Sequence, residues 1–252
     1  MQLNFKHFET IDSTNTYALK LLDENKESIE KLNGTVIFAD SQTAGRGRMN
    51  RPFYSPEKSG IYLSLIYVPE EPVTNAAIYT ATAAVGVCRA VKKAFGVETA
   101  IKWVNDVYLN NKKICGILTE GYFDYKTTKI TAAVIGIGVN ISTKDFPLEI
   151  KNKAGSILEN SDSSQREFLL NQIASEVYDI YSSREKTALA MKEYKEKSFL
   201  TGKRVEVHPV ISQKETYFAT VLGISDEAKL IVKTDSGQEL YLDSGEVSVV
   251  SQ

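Results

Sequence analysis

From Gly202 onward the 252-residue chain holds only short apolar runs broken by turns: RVEVHPV, TYFATVLGI, KLIVKT, QELYLD and EVSVV. Before residue 198 it alternates longer β-branched runs with helical periods. One layer architecture does not serve both patterns, so the sequence predicts a larger part over residues 1–199 and a small all-β unit over 200–252, a β-barrel by its strand spacing. A chain this long buries roughly 70–75% of its unfolded surface, enough for a core without disulfides or metal.

Within the larger part the order is mixed. Strands are expected at residues 3–8, 34–39, 61–67, from 99 to 103, and at 130–141, where ITAAVIGIGVNI carries glycines that let something approach its backbone. Helices are expected after Asp12 or Ser13, either of which can cap one, over 75–95 with Gly96 as a stop, and over 165–181 and 188–197. Residues 107–118 read as a hairpin about Asn110 and Asn111, which tolerate positive φ. Thirty Lys and Arg against 32 Asp and Glu leave a net charge of −2, so no whole-protein field draws the chain onto nucleic acid and any anion site is local. The N-terminus lacks the apolar run of a signal peptide, and AAIYTATAAVGVCRAV is too short and too polar to span a bilayer; the cytoplasm is the expected location. Cys88 and Cys115, in apolar surroundings, read as small buried thiols.

Two segments carry chemistry. In residues 41–56, SQTAGRGRMNRPFYSP, three arginines and several flexible residues can surround one anion with guanidinium forks and backbone N–H groups. A solvated basic loop is the plainer alternative, and the spacing fits neither a Walker A loop nor a dinucleotide fingerprint. In residues 101–121, IKWVNDVYLNNKKICGILTEG, Asn105 and Asp106 follow a strand and Lys113 lies just past the hairpin turn; alone, these read as a turn and a solvated charge rather than a site.

Together, GRGRMNRPFYSP, KWVNDVYL with KKICGIL, and the early DSTN resemble the biotin protein ligase family in order and spacing over residues 8–141, and the C-terminal strands resemble its SH3-like barrel. The resemblance implies an α+β fold: a mixed-sheet catalytic domain flanked by helices, the class II synthetase-like biotin ligase core, plus that barrel. It implies an enzyme that activates biotin with ATP and Mg²⁺ to biotinyl-AMP and transfers it to a lysine of a biotin carboxyl carrier domain of acetyl-CoA carboxylase or a related carboxylase. Carried over residue by residue, Ser13, Thr14, Asn15, Gln42, Gly45, Arg46, Gly47, Lys113 and Gly116 fall at biotin-binding positions. Arg48, Arg51, Phe53, Asn105 and Asn140 fall at adenylate positions, with Lys113, Arg48 and Asp106 as the catalytic set. Metal ligands are not assigned, beyond Asp106 as a candidate for orienting the ion or the incoming amine. The chain departs from the family pattern GRGRxGRxW at Asn50 and Phe53, and from KWPND at Val104.

Lipoate and octanoate ligases or transferases share a similar core and form the alternative; the paired GRGR and KWVND motifs argue against them. Some biotin ligases also bind DNA through an N-terminal winged helix. Here the catalytic pattern starts within ten residues, so a ligase without DNA binding and without membrane association is expected. Pairing of two copies through an exposed sheet edge is left open. The arginine-rich loop is expected to be mobile until an anion arrives and then to close over the adenylate, shielding a mixed anhydride from water.

Overall fold

A computed structural model describes residues 2–124, 126–209, 215–243 and 246–250. The strands β1 (Asn4–Ile11), β2 (Thr35–Gln42), β3 (Gly60–Tyr67), β4 (Ala100–Lys102), β5 (Asp106–Leu109), β6 (Lys112–Phe123) and β7 (Ile130–Asn140) form one sheet in the order β1-β2-β3-β7-β6-β5-β4. Only β1 and β2 run parallel; every other neighbouring pair is antiparallel.

Strand β7 shows why the sheet has two different faces. Successive side chains alternate sides, so Ala133, Ile135, Ile137 and Val139 point one way, into the main core beneath the helices α2 (Ala77–Phe95), α3 (Ser163–Tyr181) and α4 (Arg184–Lys197). On the other face Ala132 and Val134 join Ile37 and Ile66 against Ala18 and Leu22 of α1 (Thr14–Glu24). Helix α1 begins where expected: Ser13 is extended and its hydroxyl accepts from Thr16 N. Helix α2 ends at Gly96 in the left-handed conformation, and Asn110 and Asn111 both carry the positive φ their turn requires.

Helices α2 and α3 touch at Gly86, where a Cβ would sit 2.7 Å from Val177 Cγ2. We expect Gly86→Ala to destabilise the protein by about 1–3 kcal/mol through overpacking, read as a lower denaturant midpoint at unchanged slope.

The remaining strands, β8 (Arg204–His208), β9 (Tyr217–Ile224), β10 (Leu230–Thr234), β11 (Glu239–Leu242) and β12 (Glu246–Val249), form a separate antiparallel sheet in the order β11-β10-β9-β8-β12, which fits an SH3-like barrel. Val210, at the end of the expected RVEVHPV strand, lies outside the described residues. Val205, Val207, Val221, Leu230 and Val232 bury its inner face. Trp103 ties it to the larger sheet, donating from Nε1 to Ala228 O at 2.8 Å. Cys88 and Cys115 are buried as expected. Burial pushes the Cys88 thiol up to about 11 and Cys115 well above the ordinary thiol value, so neither supplies a thiolate at neutral pH.

Candidate active site

Beyond Val134, on the face that carries α1, strand β7 continues with Gly136, Gly138 and Asn140. Gly136 lies beside Ser64 of β3 and Leu118 of β6; Gly138 lies beside Tyr62 and Gly116. Side chains are missing where a floor would otherwise be filled, and a cavity of about 540 Å³ opens there. The space is used: a Cβ on Gly136 would run into Asn15 Oδ1, and one on Gly138 into the Phe53 ring. A Cβ on Gly116 would lie 3.1 Å from Lys113 Nζ and 3.2 Å from Phe53 Cε2. These three glycines are needed for close approach rather than for unusual φ.

One end of the cavity is polar and buried. The Gln42 side-chain oxygen accepts from Thr14 N (2.9 Å) and Thr14 Oγ1 (3.2 Å), and its amide donates to Ser55 Oγ (3.0 Å). Ser64 Oγ lies 2.7 Å from Thr14 Oγ1 and 2.5 Å from Asn15 Oδ1, while Asn15 Nδ2 donates to Leu118 O and to Glu120 Oε2. Ser13, Thr14, Asn15 and Ser64 are all under 5% exposed, so the network is shielded from bulk water and each donor or acceptor it leaves open is costly to waste.

The arginine-rich segment is folded. Gly47 N donates to Arg51 O (2.7 Å), Phe53 N to Gly45 O (2.8 Å) and Gln42 N to Ser55 O (3.2 Å), around a 3-10 turn Arg48–Asn50. Asn50 has φ 56°, which accounts for glycine in the family pattern: Asn tolerates the left-handed conformation better than most side chains. Arg46 pairs with Glu120 at 2.8 Å, and Arg48 donates to Asn105 Oδ1 at 3.2 Å. Lys113 Nζ sits 2.6 Å from Asp106 Oδ1. Asn105 is held in turn by Ile117 O, and Asn140 donates to Gly155 O while its buried Oδ1 has no partner among the described residues.

All but one of the residues singled out from sequence line this cavity. The exception is Gly45, which lies behind the wall: a Cβ there would be 2.6 Å from Phe53 O and 2.7 Å from Ser55 Oγ, so its task is to let the loop fold back on itself. Phe53 substitutes for the family's tryptophan by laying its ring over Gly116 and Gly138, edge-on to Tyr62. At Val104, where the family has proline, the preceding peptide is cis, and the Val104 carbonyl accepts from Tyr194 OH at 3.0 Å.

Sequence reasoning passed over Ser64, Glu120 and the segment from Pro147 to Gly155. That segment returns beside β6 through Lys113 N to Lys153 O (2.8 Å) and Gly155 N to Lys113 O (2.9 Å). Ser64 had a signal, a lone serine inside the apolar run GIYLSLIY; the other two did not.

Arg46, Arg48, Arg51, Lys102, Lys113 and Lys153 line the cavity against the two carboxylates of Asp106 and Glu149, an excess suited to a polyphosphate. Among the described residues no three of His, Cys, Asp and Glu converge, so the side chains do not build a metal cage of their own. A neutral hydrogen-bonding end and a cationic end on one glycine floor define a class: enzymes that bring a small acid against a nucleotide phosphate.

The chain belongs to the biotin/lipoate A/B protein ligase family, whose profile matches residues 7–140, and residues 202–250 match the biotin protein ligase C-terminal domain. The bifunctional ligase/repressor BirA of Bacillus spizizenii is 33% identical over 235 residues, covering 91% of this chain and 69% of that protein. The biotin–[acetyl-CoA-carboxylase] ligase of Mycobacterium tuberculosis is 28% identical over 225 residues, covering 86% and 79%. Among solved structures, the biotin protein ligase from Aquifex aeolicus in complex with biotin and ATP superposes with a TM-score of 0.75 at 25% identity, over 99% of each chain.

Proposed function

We propose that the protein activates biotin with ATP to biotinyl-AMP and then transfers the biotinyl group to a lysine of a biotin carboxyl carrier domain, in the cytoplasm. The observation that carries this reading is the single cavity joining a buried hydrogen-bonding end to a cationic end. Biotin's ureido ring presents one carbonyl acceptor and two N–H donors. Ser13, Thr14, Asn15 and Gln42 supply hydroxyls and amides to meet them, and Gly116 lets the ring system and its chain lie flat on the strand.

The biotin carboxylate then reaches toward Arg46 and Lys113. One of its oxygens attacks the α-phosphorus of ATP, a P–O bond forms, and pyrophosphate leaves with the electron pair of the bond that breaks. The obstacle is the approach of two anions, so cationic neutralisation and alignment carry most of the catalysis. Lys113 supplies the first, oriented by Asp106; Arg48, fixed by Asn105, and Arg51 hold the phosphate side, and Gly47 leaves the backbone open to it. Phe53 and Asn140 face the adenosine, Asn140 with an unused buried acceptor. In the second step the carrier lysine, as free amine, attacks the anhydride carbonyl, AMP leaves with the electron pair of the carbonyl C–O bond and the amine's surplus proton passes to water; Asp106 is placed to orient that amine. Mg²⁺ accompanies ATP and offsets phosphate charge when bound. The side chains lining the cavity offer it Asp106 and Glu149 and no closed cage, which suits an ion carried largely by phosphate oxygens. We assign the chemistry to residues 1–199 and read residues 200–252 as the barrel that closes the cavity from one side, through Val247.

An ATP–pyrophosphate exchange assay with biotin, lipoate and octanoate side by side tests this. Exchange is expected with biotin, with lipoate and octanoate slower by about 1,000-fold or more, because neither pairs the buried groups matched to a ureido ring. Comparable exchange with lipoate would favour the alternative within the family.

A further inference from the structure

We propose that Glu120, on β6 just outside the cavity, is a positioning residue that fixes the distance between the ring end and the carboxylate end of the acid site; this rests on the reading of biotin as the acid. Its Oε2 accepts two hydrogen bonds, from Asn15 Nδ2 and from Arg46 Nη2, each at 2.8 Å. The two donors come from unrelated elements, α1 and the arginine-rich loop, and among the described residues no other side chain bonds both.

Each bond has a chemical consequence. The second Asn15 Nδ2 hydrogen goes to Leu118 O at 3.2 Å, and Asn15 Oδ1 takes the Ser64 hydroxyl at 2.5 Å. With both amide hydrogens committed to β6, the amide has one orientation, and its oxygen stands over Gly136 with a lone pair left for a ligand N–H. At the other end, one nitrogen of the Arg46 fork is anchored on Glu120, which leaves the remaining donors of that guanidinium for an incoming carboxylate. One oxygen therefore sets how far the ring acceptor stands from the carboxylate grip. Glu120 touches no reacting atom; it acts through Asn15 and Arg46.

The test compares Glu120→Ala with Glu120→Gln, which keeps an acceptor oxygen for both donors. In ligand-free protein, trypsin cleavage after Arg46 is expected to quicken about tenfold in the alanine variant and to stay near the parent rate in the glutamine variant. Cleavage after the exposed Arg184 is the internal reference and does not change. In pyrophosphate exchange, Glu120→Ala is expected to raise KM for biotin about tenfold or more while KM for ATP stays within about twofold. Its preference for biotin over homologues with one methylene more or fewer in the side chain falls toward one, and Glu120→Gln restores both properties. An alanine variant with parent-like Arg46 cleavage and biotin KM would overturn the proposal. So would KM values for biotin and ATP rising together, an undiminished homologue preference, or a glutamine variant as impaired as alanine. If the parent protein fails to exchange with biotin, the functional reading falls on its own, while the trypsin comparison still decides whether Glu120 holds Arg46.

Discussion

Lys113→Ala is expected to slow biotin-dependent pyrophosphate exchange by about 100-fold or more while leaving the thermal midpoint within a few degrees. The side chain sits in the cavity, 2.6 Å from Asp106 and over Gly116, and in the proposed reaction it would face the developing contact between a carboxylate and a phosphate. Its backbone has separate duties: Lys113 N and O bond Lys153 and Gly155, and these bonds survive truncation. The fold is therefore insulated from the substitution. Asp106 would lose the partner of its buried Oδ1, but both side chains line the cavity and truncating the lysine opens that oxygen to cavity water, so the stability cost is small. Single-turnover formation of labelled biotinyl-AMP separates this chemical effect from product release. A variant that forms adenylate at the parent rate would make Lys113 a solvated hairpin charge and nothing more.

Gly136→Ala is expected to weaken biotin binding by about tenfold to a hundredfold, measured by calorimetry, in a protein that still folds. The added methyl would run into Asn15 Oδ1, and Asn15 is held by Leu118, Glu120 and Ser64, so it cannot step aside without giving up hydrogen bonds. Gly138→Ala is the comparison: its methyl meets the edge of Phe53, whose ring can swing, and the loss is smaller. Equal affinities for the parent and the Gly136 variant would show that the ring end lies elsewhere.

What could be read from sequence were features set by a few neighbouring residues. The left-handed pair Asn110 and Asn111, the stop at Gly96 and the cap at Ser13 are local, and each stands where expected. The apolar runs also located the central strands, although β1 and β2 extend to Ile11 and Gln42, beyond the expected ends, because each pairs with the other along that length. The site residues were legible through their motifs, yet what they bond was not. Arg46 and Glu120 are joined only once β6 lies beside β7 and the loop folds across them, and a lone acidic residue in GILTEG is indistinguishable from any solvated strand charge. The loop expected to be mobile has a register of its own, because Gly45 and Asn50 allow turns that turn an arginine-rich stretch back on itself. We expect it to close over an adenylate, read as stronger protection against proteolysis with biotin and ATP than without.

The bond from Trp103 to the Ala228 carbonyl sets a condition on engineering by exchange of parts. Trp103 belongs to the same short stretch that carries Asn105 and Asp106, so the C-terminal sheet supports the segment that presents two cavity residues. A chimera that replaces residues 202–250 with the corresponding piece of a relative must reproduce a carbonyl at the place of Ala228, and an apolar side chain at the place of Val247. A graft that keeps both inherits a working seam; one that keeps neither trades a swapped appendage for a displaced cavity wall.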